Sequence, residues 1–469
     1  MTQAAPVGGL FLQRLACAPD FLALQRAHPQ RYPHLLASSA HGTAQGRYDI
    51  LCAFPQSRLR FDGRECRRDD APCAADFLQE LDRWWRSERI AELSAERTCG
   101  LPFHGGWFFY LGYEFAHAIE PSVNMPVAAA VDVPALPVAY AERCPAALIF
   151  DHEEGVAWWV EEGDQARYWP QCAEDIAQLE ALPETQALAD ALPAFELQED
   201  DAEIFLQGVQ RIRDYILAGD IFQANLSRAW RGRFADAPQA SLLFSRLAQN
   251  NPGPFAALAH IDGQAIISSS PERLVSSRHG VIQTRPIAGT RRRGKDASED
   301  AALKAELIIH PKERAEHIML LDLERNDLGR VALPGTVQVD ECMAIESYRH
   351  VHHIVSNVRA RLRAEITPGQ VLAALFPGGT ITGCPKVRCM QILAELEGVS
   401  RQAYTGSLGY LNRDGSLDSN ILIRTLQLAD RDFTLRAGAG IVADSVAEEE
   451  LLETRAKARG LLRALGLEA

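Results

Sequence analysis

Strand-like and helical segments both recur along this sequence, and together they predict a mixed fold of β-sheet and α-helices. The clearest strand signal is Gly105–Tyr113, a run dense in aromatic residues and glycines. The clearest helix signal is Pro311–Arg330, which begins with a proline suited to the first helical position and closes with Gly329 as a stop. No segment repeats at a fixed period, so a repeat architecture is not expected.

Residues 1–181 are predicted to form a strand-rich N-terminal region. Arg47–Phe54 has the composition of a strand, and two apolar runs on either side of Asp151–Gly155 predict a β-hairpin. Asp76–Ser94 and residues 165–181 are predicted to be helical. We expect this region to pack on the part of the chain that follows it.

Residues 182–201 are predicted to be a linker or a surface excursion. The segment is rich in alanine, proline and acidic residues, and its hydrophobic periodicity is weak. It would separate the N-terminal region from a second region, residues 202–469, which carries the sharper signals.

Helices and strands alternate in this second region. Helices are predicted over Ile204–Ile216, from Pro368, over Lys386–Leu396, and after Ser445, which has the spacing of a capping box with Glu448. The predicted strands are Ile221–Trp230, Phe255–Ile261, Ala265–Ser269, Val281–Ile287, Val351–Arg359, Gly406–Leu411, Ile421–Leu428 and Phe433–Ala437.

The composition is that of an ordinary globular protein. The 469 residues are 47% hydrophobic and 23% charged, with a formal net charge of −14, which disfavours nucleic acid or an anionic membrane as the main partner. The ten cysteines are scattered without a Cys-x-x-Cys pair, and the first residues lack the pattern of a signal peptide. No apolar run is long enough to span a bilayer, so we expect a cytoplasmic protein with no membrane partner.

Two predicted helices each carry a pair of glutamates three residues apart. Glu313 and Glu316 lie in the first helix, and Glu450 and Glu453 lie in the last, with Lys457 four residues further on. Residues at this spacing share one helical face. The two pairs could converge on one hard cation, which prefers oxygen ligands. The alternative interpretation is that both pairs lie on solvated helix faces.

Two charged residues near the ends of predicted strands are candidates for chemistry. Glu272 directly follows a strand, where it could act as a general acid, or it could form a simple surface pair with Arg273. Arg424 lies in the apolar segment ILIRTL, where it could bind a carboxylate through two hydrogen bonds or form a buried structural salt bridge.

Glycine-rich segments accompany these residues. The loop 376–386 (FPGGTITGCPK) would present backbone N–H groups to a carboxylate or serve only as a tight turn. The segment 436–440 (RAGAG) is predicted to form a second loop of this kind before the last helix. The segment 289–295 (GTRRRGK) has the outline of a phosphate-binding loop, but Asp296 stands where such a loop needs serine or threonine, so we exclude nucleotide binding. In HVHHIV, strand alternation places His353 on the face opposite His352, as a core or surface residue by default.

Eight segments, taken together and in order, resemble the chorismate-utilising enzymes. That family includes anthranilate synthase, aminodeoxychorismate synthase and isochorismate synthase, and the resemblance runs from about residue 203 to 466. It implies an α+β fold in which two β-sheets pack between helices in four layers (α/β/β/α), with a magnesium-dependent site for chorismate. The segments are SSPERL, TRPIAGT, AEHIMLLDLERNDLGR, VHHIVS, PGGTITGCPK, GSLGYL, ILIRT and AGAGIVADS with EEELLET.

The resemblance also implies roles for individual residues. Glu316 and Glu453 match magnesium ligands, with Glu313 and Glu450 beside them, and Glu272 matches the acid that protonates the departing 4-hydroxyl of chorismate. The other residues that it places around the substrate are Gly289, Thr290, Thr380, Tyr410, Arg424, Gly438, Gly440 and Lys457.

The nucleophile is predicted from Gln223. Relatives that add water to chorismate carry a lysine base at this position, and a glutamine amide cannot deprotonate water, whereas ammonia needs no base. The resemblance therefore implies an aminating enzyme. Ala288 stands where many aminodeoxychorismate synthases have lysine, and alanine is the residue usual in anthranilate synthases.

Other features favour amination at C4, which is the aminodeoxychorismate synthase reaction of 4-aminobenzoate and folate synthesis. The anthranilate synthase reaction is the alternative. The features that favour C4 are the segment IFQANLS, the two histidines of VHHIVS, the Ile-Thr-Gly of the glycine loop, and HLLASSA (His34–Ala40) in place of a tryptophan-inhibition motif. His353 would orient the substrate in the first reaction and help remove the C2 proton in the second.

The expected partners follow from what the chain lacks. It has no Gly-x-Cys-x-Gly nucleophile of a glutaminase, so ammonia from glutamine would come through a separate glutaminase subunit. A separate lyase would complete 4-aminobenzoate formation. The resemblance also leaves open whether tryptophan binds in the N-terminal region.

Overall fold

A computed structural model describes residues 9–40, 45–126, 136–181, 191–347 and 351–467. Within these ranges the chain forms two antiparallel sheets with helices, an α+β fold, as predicted. In chain order the strands are β1 (Leu10–Arg14), β2 (His34–Ala37), β3 (Tyr48–Ala53), β4 (Arg58–Phe61), β5 (Cys66–Arg68), β6 (Ala71–Pro72), β7 (Gly106–Leu111), β8 (Ala139–Cys144), β9 (Ala146–Asp151), β10 (Val156–Glu162), β11 (Phe195–Glu199), β12 (Gln223–Phe234), β13 (Phe255–Ile261), β14 (Gln264–Ser270), β15 (Arg273–Arg278), β16 (Val281–Arg285), β17 (Ile287–Arg292), β18 (Gln338–Ser347), β19 (Val351–Arg361), β20 (Gly383–Cys384), β21 (Ser407–Asn412), β22 (Leu417–Asn420), β23 (Thr425–Ala429) and β24 (Asp432–Ile441).

The helices cover the outer faces of the sheets. Pro311–Gly329 forms one helix, as its terminal signals predict. In chain order the helices are α1 (Phe21–Ala27), α2 (Phe77–Glu88), α3 (Ala95–Thr98), α4 (Ala116–Ile119), α5 (Trp169–Glu180), α6 (Ala202–Leu217), α7 (Ala240–Asn250), α8 (Ala297–Ile309), α9 (Pro311–Gly329), α10 (Pro368–Leu375), α11 (Lys386–Glu397) and α12 (Ala447–Ala464).

Both sheets combine strands from the two ends of the chain. The first sheet has the order β1-β10-β9-β3-β2-β13-β14-β23-β24-β12-β11, with β20 paired to β12. The second has the order β17-β19-β16-β15-β22-β21-β7-β8-β4-β5-β6, with β18 paired to β19. The N-terminal strands therefore extend the same sheets that the later strands form, through the pairs β2–β13 and β7–β21.

The predicted linker contains a strand in its second part. Residues 195–199 form β11, which pairs with β12 at the edge of the first sheet, while residues 182–190 lie outside the described residues. The division into regions 1–181 and 202–469 stays a prediction.

Strand β7 shows why the aromatic run 105–113 is the clearest strand signal. Its side chains alternate between two fully buried faces. Trp107 and Phe109 join a core that includes residues of α2, α9 and α10, whereas Phe108 and Tyr110 join the core between the two sheets. A third core packs α1, α7 and α12 on the first sheet. The order of layers is therefore helices, sheet, sheet and helices.

Three local predictions were wrong. Residues 421–428 are not one strand, because β22 belongs to the second sheet and β23 to the first, and the chain changes sheets between them. The segment 436–440 is part of β24 rather than a loop, since it pairs with β12. Ser445 does not cap the last helix. Its hydroxyl accepts from the N–H of Val442 (3.0 Å), and α12 begins only at Ala447.

None of the described helices combines the length and the apolar character that crossing a membrane requires.

Because β7 is buried on both faces, truncating one of its aromatic side chains should have a large effect on stability. Phe109→Ala should lower the free energy of unfolding by about 3–5 kcal/mol, because it leaves a cavity among fully buried neighbours. Urea unfolding of the two proteins measures this difference. Phe222→Ala is the matched control: Phe222 is 67% exposed, and the change should be within about 0.5 kcal/mol. Equal effects of the two substitutions would contradict the burial of β7.

Candidate active site

Glu272 lies between β14 and β15, and backbone hydrogen bonds fix its position. The N–H of Ile421 donates to the carbonyl oxygen of Glu272 (3.0 Å), and the N–H of Glu272 donates to the hydroxyl of Ser270 (3.2 Å). The Ser270 hydroxyl in turn donates to the carbonyl of Ile421 (2.5 Å). Glu272 is thereby tied to the segment that links the two sheets.

The carboxyl group of Glu272 is suited to donate a proton near neutral pH. The residue is only 4% exposed, and burial raises the pKa of its carboxyl to about 7. The Thr380 hydroxyl, the N–H of Ile287 and the cations of Lys457 and Arg424 each lower this pKa in part. The Thr380 hydroxyl is near enough to lower the Glu272 pKa, but among the described residues neither its Oγ1 nor Oε1 of Glu272 makes a hydrogen bond of ordinary geometry. Two buried polar atoms are therefore available to a bound molecule.

The glycine loop brings Thr380 to this carboxyl. After α10 the chain forms a single 3-10 turn, Gly379–Ile381, closed by a hydrogen bond from the Thr382 hydroxyl to the carbonyl of Gly378 (2.9 Å). A Cβ at Gly379 would overlap the side chain of Leu323 on α9, so a larger residue here would require Leu323 to move. The predicted use of the loop N–H groups to bind a carboxylate stays a prediction.

Arg424 lies where the chain changes sheets, with φ at 51°, and not within a strand. A side chain in this left-handed conformation is strained by about 1–2 kcal/mol. Its positive charge lowers the pKa of both Glu272 and His353, which places the guanidinium near both groups. It also donates a hydrogen bond to Oδ1 of Asn251 (3.4 Å). The strained position thus directs a cation into the candidate site.

His353 is a buried, neutral imidazole. It is 2% exposed, and burial lowers the pKa of its ring to about 3, assisted by the charge of Arg424 and opposed by a hydrogen bond to the backbone of Gly289. Its neighbour His352 faces α8 instead and contacts Asp300 (2.9 Å). The two histidines therefore lie on opposite faces of β19, as strand alternation predicts.

Gly289 brings an α9 glutamate close to β17. It has φ of +77°, and a Cβ there would lie 2.8 Å from Oε2 of Glu313. Glu313 also pairs with Arg291 (2.9 Å). The backbone of Thr290 pairs with His353 in the β17–β19 ladder. The side chain of Thr290 lies outside the described residues.

Gln223 and Lys457 approach the glycines of β24. A Cβ on Gly440 would overlap the side-chain amide nitrogen of Gln223. The ammonium group of Lys457 donates to the carbonyl of Gly438 (3.0 Å). The amide oxygen of Gln223 is buried and has no hydrogen-bond partner among the described residues. Gly440 thus makes room for the Gln223 side chain against the backbone of β24.

The predicted convergence of the four glutamates on one cation is not seen. In the part of the chain that the structure describes, no three His, Cys, Asp or Glu side chains lie close enough together to hold a metal ion. Glu313 pairs with Arg291, and Glu453 pairs with Lys457 on its own helix (2.7 Å). Carboxylates gathered without a cation would repel one another. In this structure Arg291 and Lys457 neutralise Glu313 and Glu453 instead. Carboxylate oxygens suit magnesium chemically. The roles of Glu313, Glu316, Glu450 and Glu453 as ligands stay predictions.

Tyr410 lies on β21 of the second sheet. Its ring packs edge-on against Phe103 at 5.7 Å and lines a separate cavity of about 310 Å³ with Leu36 and Arg47. A different tyrosine, Tyr404, brings its hydroxyl to Gly438, where a Cβ would lie 2.8 Å from it. Tyr410 was expected at the site because its position matches a substrate-binding position of the chorismate-utilising enzymes, and that role stays a prediction. Tyr404 precedes β21, and nothing in the local sequence marks it as a neighbour of Gly438. Only its position in the folded turn shows this contact.

A buried ion network behind Tyr404 was also missed. Arg401 pairs with Glu397 (2.6 Å), and Arg436 lies 3.4 Å from the same carboxylate. Arg401 also donates to the carbonyl of Asn225 (2.7 Å) and lies 5.7 Å from the Tyr404 ring. Hydrogen-bonded charges of this kind fix the positions of their neighbours. The pairing of Glu397 and Arg401, four residues apart, was the signal available in the sequence.

Comparisons with known proteins identify the family of this chain. A family model described as chorismate binding enzyme matches residues 35–463. An anthranilate synthase component I-like protein of Synechocystis sp. is 46% identical over 368 residues, which are 78% of this chain and 73% of that protein. Aminodeoxychorismate synthase component 1 of Bacillus subtilis is 38% identical over 474 residues, covering 97% of this chain and 95% of that protein.

A solved structure is also similar. Anthranilate synthase component I of Streptococcus pneumoniae TIGR4 has a TM-score of 0.78 and 29% identity, covering 89% of this chain and 93% of that chain. The chain belongs to the chorismate binding enzyme family. It is therefore a chorismate-utilising enzyme, as the sequence motifs predict.

The raised pKa of Glu272 predicts how stability depends on pH. The carboxyl ionises near pH 4.3 when unfolded (about 4.3 for glutamate) and at about 7 when folded, so the folded protein holds the extra proton between these values. This contribution to stability is present at low pH and is lost as pH rises through about 7. Glu272→Gln should therefore stabilise the protein relative to wild type by about 1–3 kcal/mol more at pH ~8 than at pH ~5.

Urea unfolding at the two pH values measures this difference. Glu96→Gln, on an exposed helical residue, is the control and should show no such change. A stability difference that is independent of pH would mean that the Glu272 carboxyl is not buried as a proton-bearing group.

Proposed function

We propose that the protein aminates chorismate at C4, forming 4-amino-4-deoxychorismate with ammonia from a separate glutaminase subunit, as an aminodeoxychorismate synthase component 1. Two observations together carry the proposal. Glu272 is buried and bears a proton near neutral pH, and Gln223 occupies the position where relatives that add water have a lysine base. The first group supplies a proton to a leaving hydroxyl. The second excludes the base that water would need.

The chemistry requires an acid because hydroxide is a very poor leaving group. The Glu272 carboxyl gives its proton to the 4-hydroxyl, the ring C–O bond breaks, and water leaves. Ammonia forms the new C–N bond and then loses one proton, so the overall exchange is balanced. Arg424 and Lys457 supply positive charge for the substrate carboxylates.

Magnesium is part of the proposal. The four glutamates of α9 and α12 are the donors that would hold it, and the ion would neutralise negative charge on the substrate when bound. Glu313 and Glu453 would then exchange Arg291 and Lys457 for the metal.

The state of His353 supports amination at C4. A ring with a pKa of about 3 is a weak base, which suits an orienting hydrogen bond better than removal of the C2 proton. The near full-length similarity to the Bacillus subtilis aminodeoxychorismate synthase component 1 points the same way.

Anthranilate synthesis is the second candidate. Ala288 favours it, because alanine replaces the lysine found in many aminodeoxychorismate synthases. The Synechocystis relative and the Streptococcus pneumoniae structure also carry anthranilate synthase names. In that reaction ammonia enters at C2 and pyruvate is lost.

Further parts of the proposal concern location and regulation. We place the enzyme in the cytoplasm with folate synthesis, where a separate lyase completes 4-aminobenzoate. If tryptophan binds, we propose that it occupies the cavity of about 310 Å³ beside Tyr410, which residues of the N-terminal region, such as Leu36 and Arg47, line together with residues of the second region. Tryptophan binding there would be expected of a regulated anthranilate synthase.

The product assay separates the two reactions. Purified protein is mixed with chorismate, magnesium and an ammonium salt, with and without an aminodeoxychorismate lyase. We expect 4-aminobenzoate only when the lyase is present. Fluorescent anthranilate without the lyase would overturn the assignment in favour of the second candidate.

Metal dependence tests the glutamate ligands. Excess chelator should abolish chorismate consumption, and added magnesium should restore it. Glu316→Gln and Glu453→Gln should each raise the magnesium concentration needed for half-maximal activity by about tenfold or more. Glu449→Gln, which changes an exposed carboxylate on α12, is the control. Full activity in excess chelator would contradict the metal assignment.

A further inference from the structure

The carbonyl oxygen of Ile381 lies in the 3-10 turn that carries Thr380, and two buried side chains bind it. The side-chain amide of Asn225 on β12 donates to this oxygen (3.2 Å), and the guanidinium of Arg401 also donates to it (3.3 Å). The N–H of Asn225 donates to the carbonyl of Thr382, one residue further on (3.0 Å). These hydrogen bonds fix the turn from the side of β12.

Arg401 binds β12 as well as the turn. Its guanidinium donates to the carbonyl oxygen of Asn225 (2.7 Å), so one planar group holds the backbones of both segments. Asn225 is two residues from Gln223, and residues two apart in a strand share one face. Arg401 therefore sets the separation between the strand that carries Gln223 and the turn that carries Thr380.

A carboxylate fixes the orientation of the Arg401 guanidinium. Glu397 accepts from Nε (2.8 Å) and from Nη2 (2.6 Å) of Arg401, which is a bidentate arrangement. Ser227 of β12 donates to the same carboxylate through its N–H and its hydroxyl, both at 2.8 Å. The side chains of Arg401 and Glu397 are 1% and 4% exposed. The protein, and not solvent, therefore determines where the guanidinium points.

Two buried polar atoms lie on the two segments that this guanidinium joins. Oε1 of Gln223 and Oγ1 of Thr380 make no hydrogen bond of ordinary geometry among the described residues. The glycine loop also packs beside the proposed acid. A Cβ at Gly378 would lie 2.6 Å from Cδ1 of Ile421, whose N–H donates to the carbonyl of Glu272 (3.0 Å). The position of the turn therefore matters for the candidate site.

Stability alone does not account for the buried pair of Glu397 and Arg401. Taking two charges out of water costs several kcal/mol per ion, and well-packed apolar residues of similar volume are often at least as stable. An apolar side chain cannot donate to two backbone carbonyl oxygens on different segments, whereas a guanidinium held by a carboxylate can. The pair thus provides a rigid connection.

We propose that Arg401 is a positioning residue: held by Glu397 and assisted by Asn225, it fixes the turn against β12 so that the Thr380 hydroxyl keeps its place in the candidate site. The inference rests on the proposed reaction at Glu272. A displacement of about 1 Å in such a site can cost on the order of a hundredfold in rate, so a fixed turn has a catalytic consequence.

The first test is a double-mutant cycle on kcat/KM for chorismate consumption, measured without regard to the product. Arg401→Lys keeps a positive charge beside Glu397 but lacks the planar group that reaches both carbonyl oxygens. It should lower kcat/KM at least about tenfold, because the displaced turn misplaces the Thr380 hydroxyl. In a Thr380→Val background the same change should cost no more than about twofold, because that hydroxyl is already absent.

Ser227→Ala is the matched control. It removes a hydrogen bond to the same Glu397 carboxylate but leaves the two carbonyl oxygens bonded to Arg401. Its kcat/KM should stay within about twofold of wild type. A loss as large as that in Arg401→Lys would mean that the network acts through general stability, and it would overturn the proposal.

A second variant covers the case in which Arg401→Lys does not fold. Asn225→Ala removes one hydrogen bond to the carbonyl of Ile381 without disturbing a buried charge. In the same cycle it should lower kcat/KM when Thr380 is present and have little further effect in Thr380→Val. Equal losses in the two backgrounds would overturn the proposal.

The second test is the pH dependence of kcat/KM at a fixed concentration of free ammonia. Activity that needs the protonated Glu272 should fall as pH rises through about 7. The Thr380 hydroxyl lowers the pKa of Glu272, so Thr380→Val should move this fall to higher pH. Arg401→Lys should move it in the same direction, and the double variant should move it no further than Thr380→Val.

Additive losses in the double-mutant cycle, or a wild-type pH profile in Arg401→Lys, would overturn the proposal. Failure of the proposed function is seen separately. Chorismate consumption by Glu272→Gln at the wild-type rate would reject the acid role of Glu272, and anthranilate as product would reject only amination at C4.

Discussion

The burial of the Glu272 carboxyl is the constraint on which the candidate site depends. An ionised carboxylate loses most of its hydration when buried, so the protonated form is favoured and the pKa rises toward neutrality. The folded protein sustains this unfavourable burial because backbone hydrogen bonds fix the residue between β14 and β15. Stability is thus given up locally to keep a proton where the proposed chemistry needs it.

The same constraint explains the path of the chain around residue 424. The link between β22 and β23 carries the chain from one sheet to the other, and it contacts Glu272 through the backbone of Ile421. Arg424 occupies this link in a strained conformation, which brings its charge near both Glu272 and His353. A continuous strand would have alternated its side chains between two faces and could not have placed the cation in this way.

Glycines provide the close approaches that the site requires. Gly379 admits Leu323 and Glu324 of α9, and Gly440 admits the amide of Gln223. Each is a position where a Cβ would overlap a neighbouring side chain. The buried network of Glu397, Arg401 and Arg436 then supports the turn that carries Tyr404. The candidate site therefore depends on contacts among several segments, and not on any single loop.

The sequence by itself determined the elements with strong local signals and the family. Helix α9, strand β7 and the hairpin around residues 151–155 follow from caps, aromatic alternation and turn residues, which act over a few neighbouring positions. Ordered motifs were enough to identify a chorismate-utilising enzyme. The position of Arg424, the placement of the Tyr404 hydroxyl beside Gly438 and the approach of Gln223 to Gly440 were decided only by the tertiary structure. These depend on contacts between residues tens to hundreds of positions apart, and no local pattern encodes such distances.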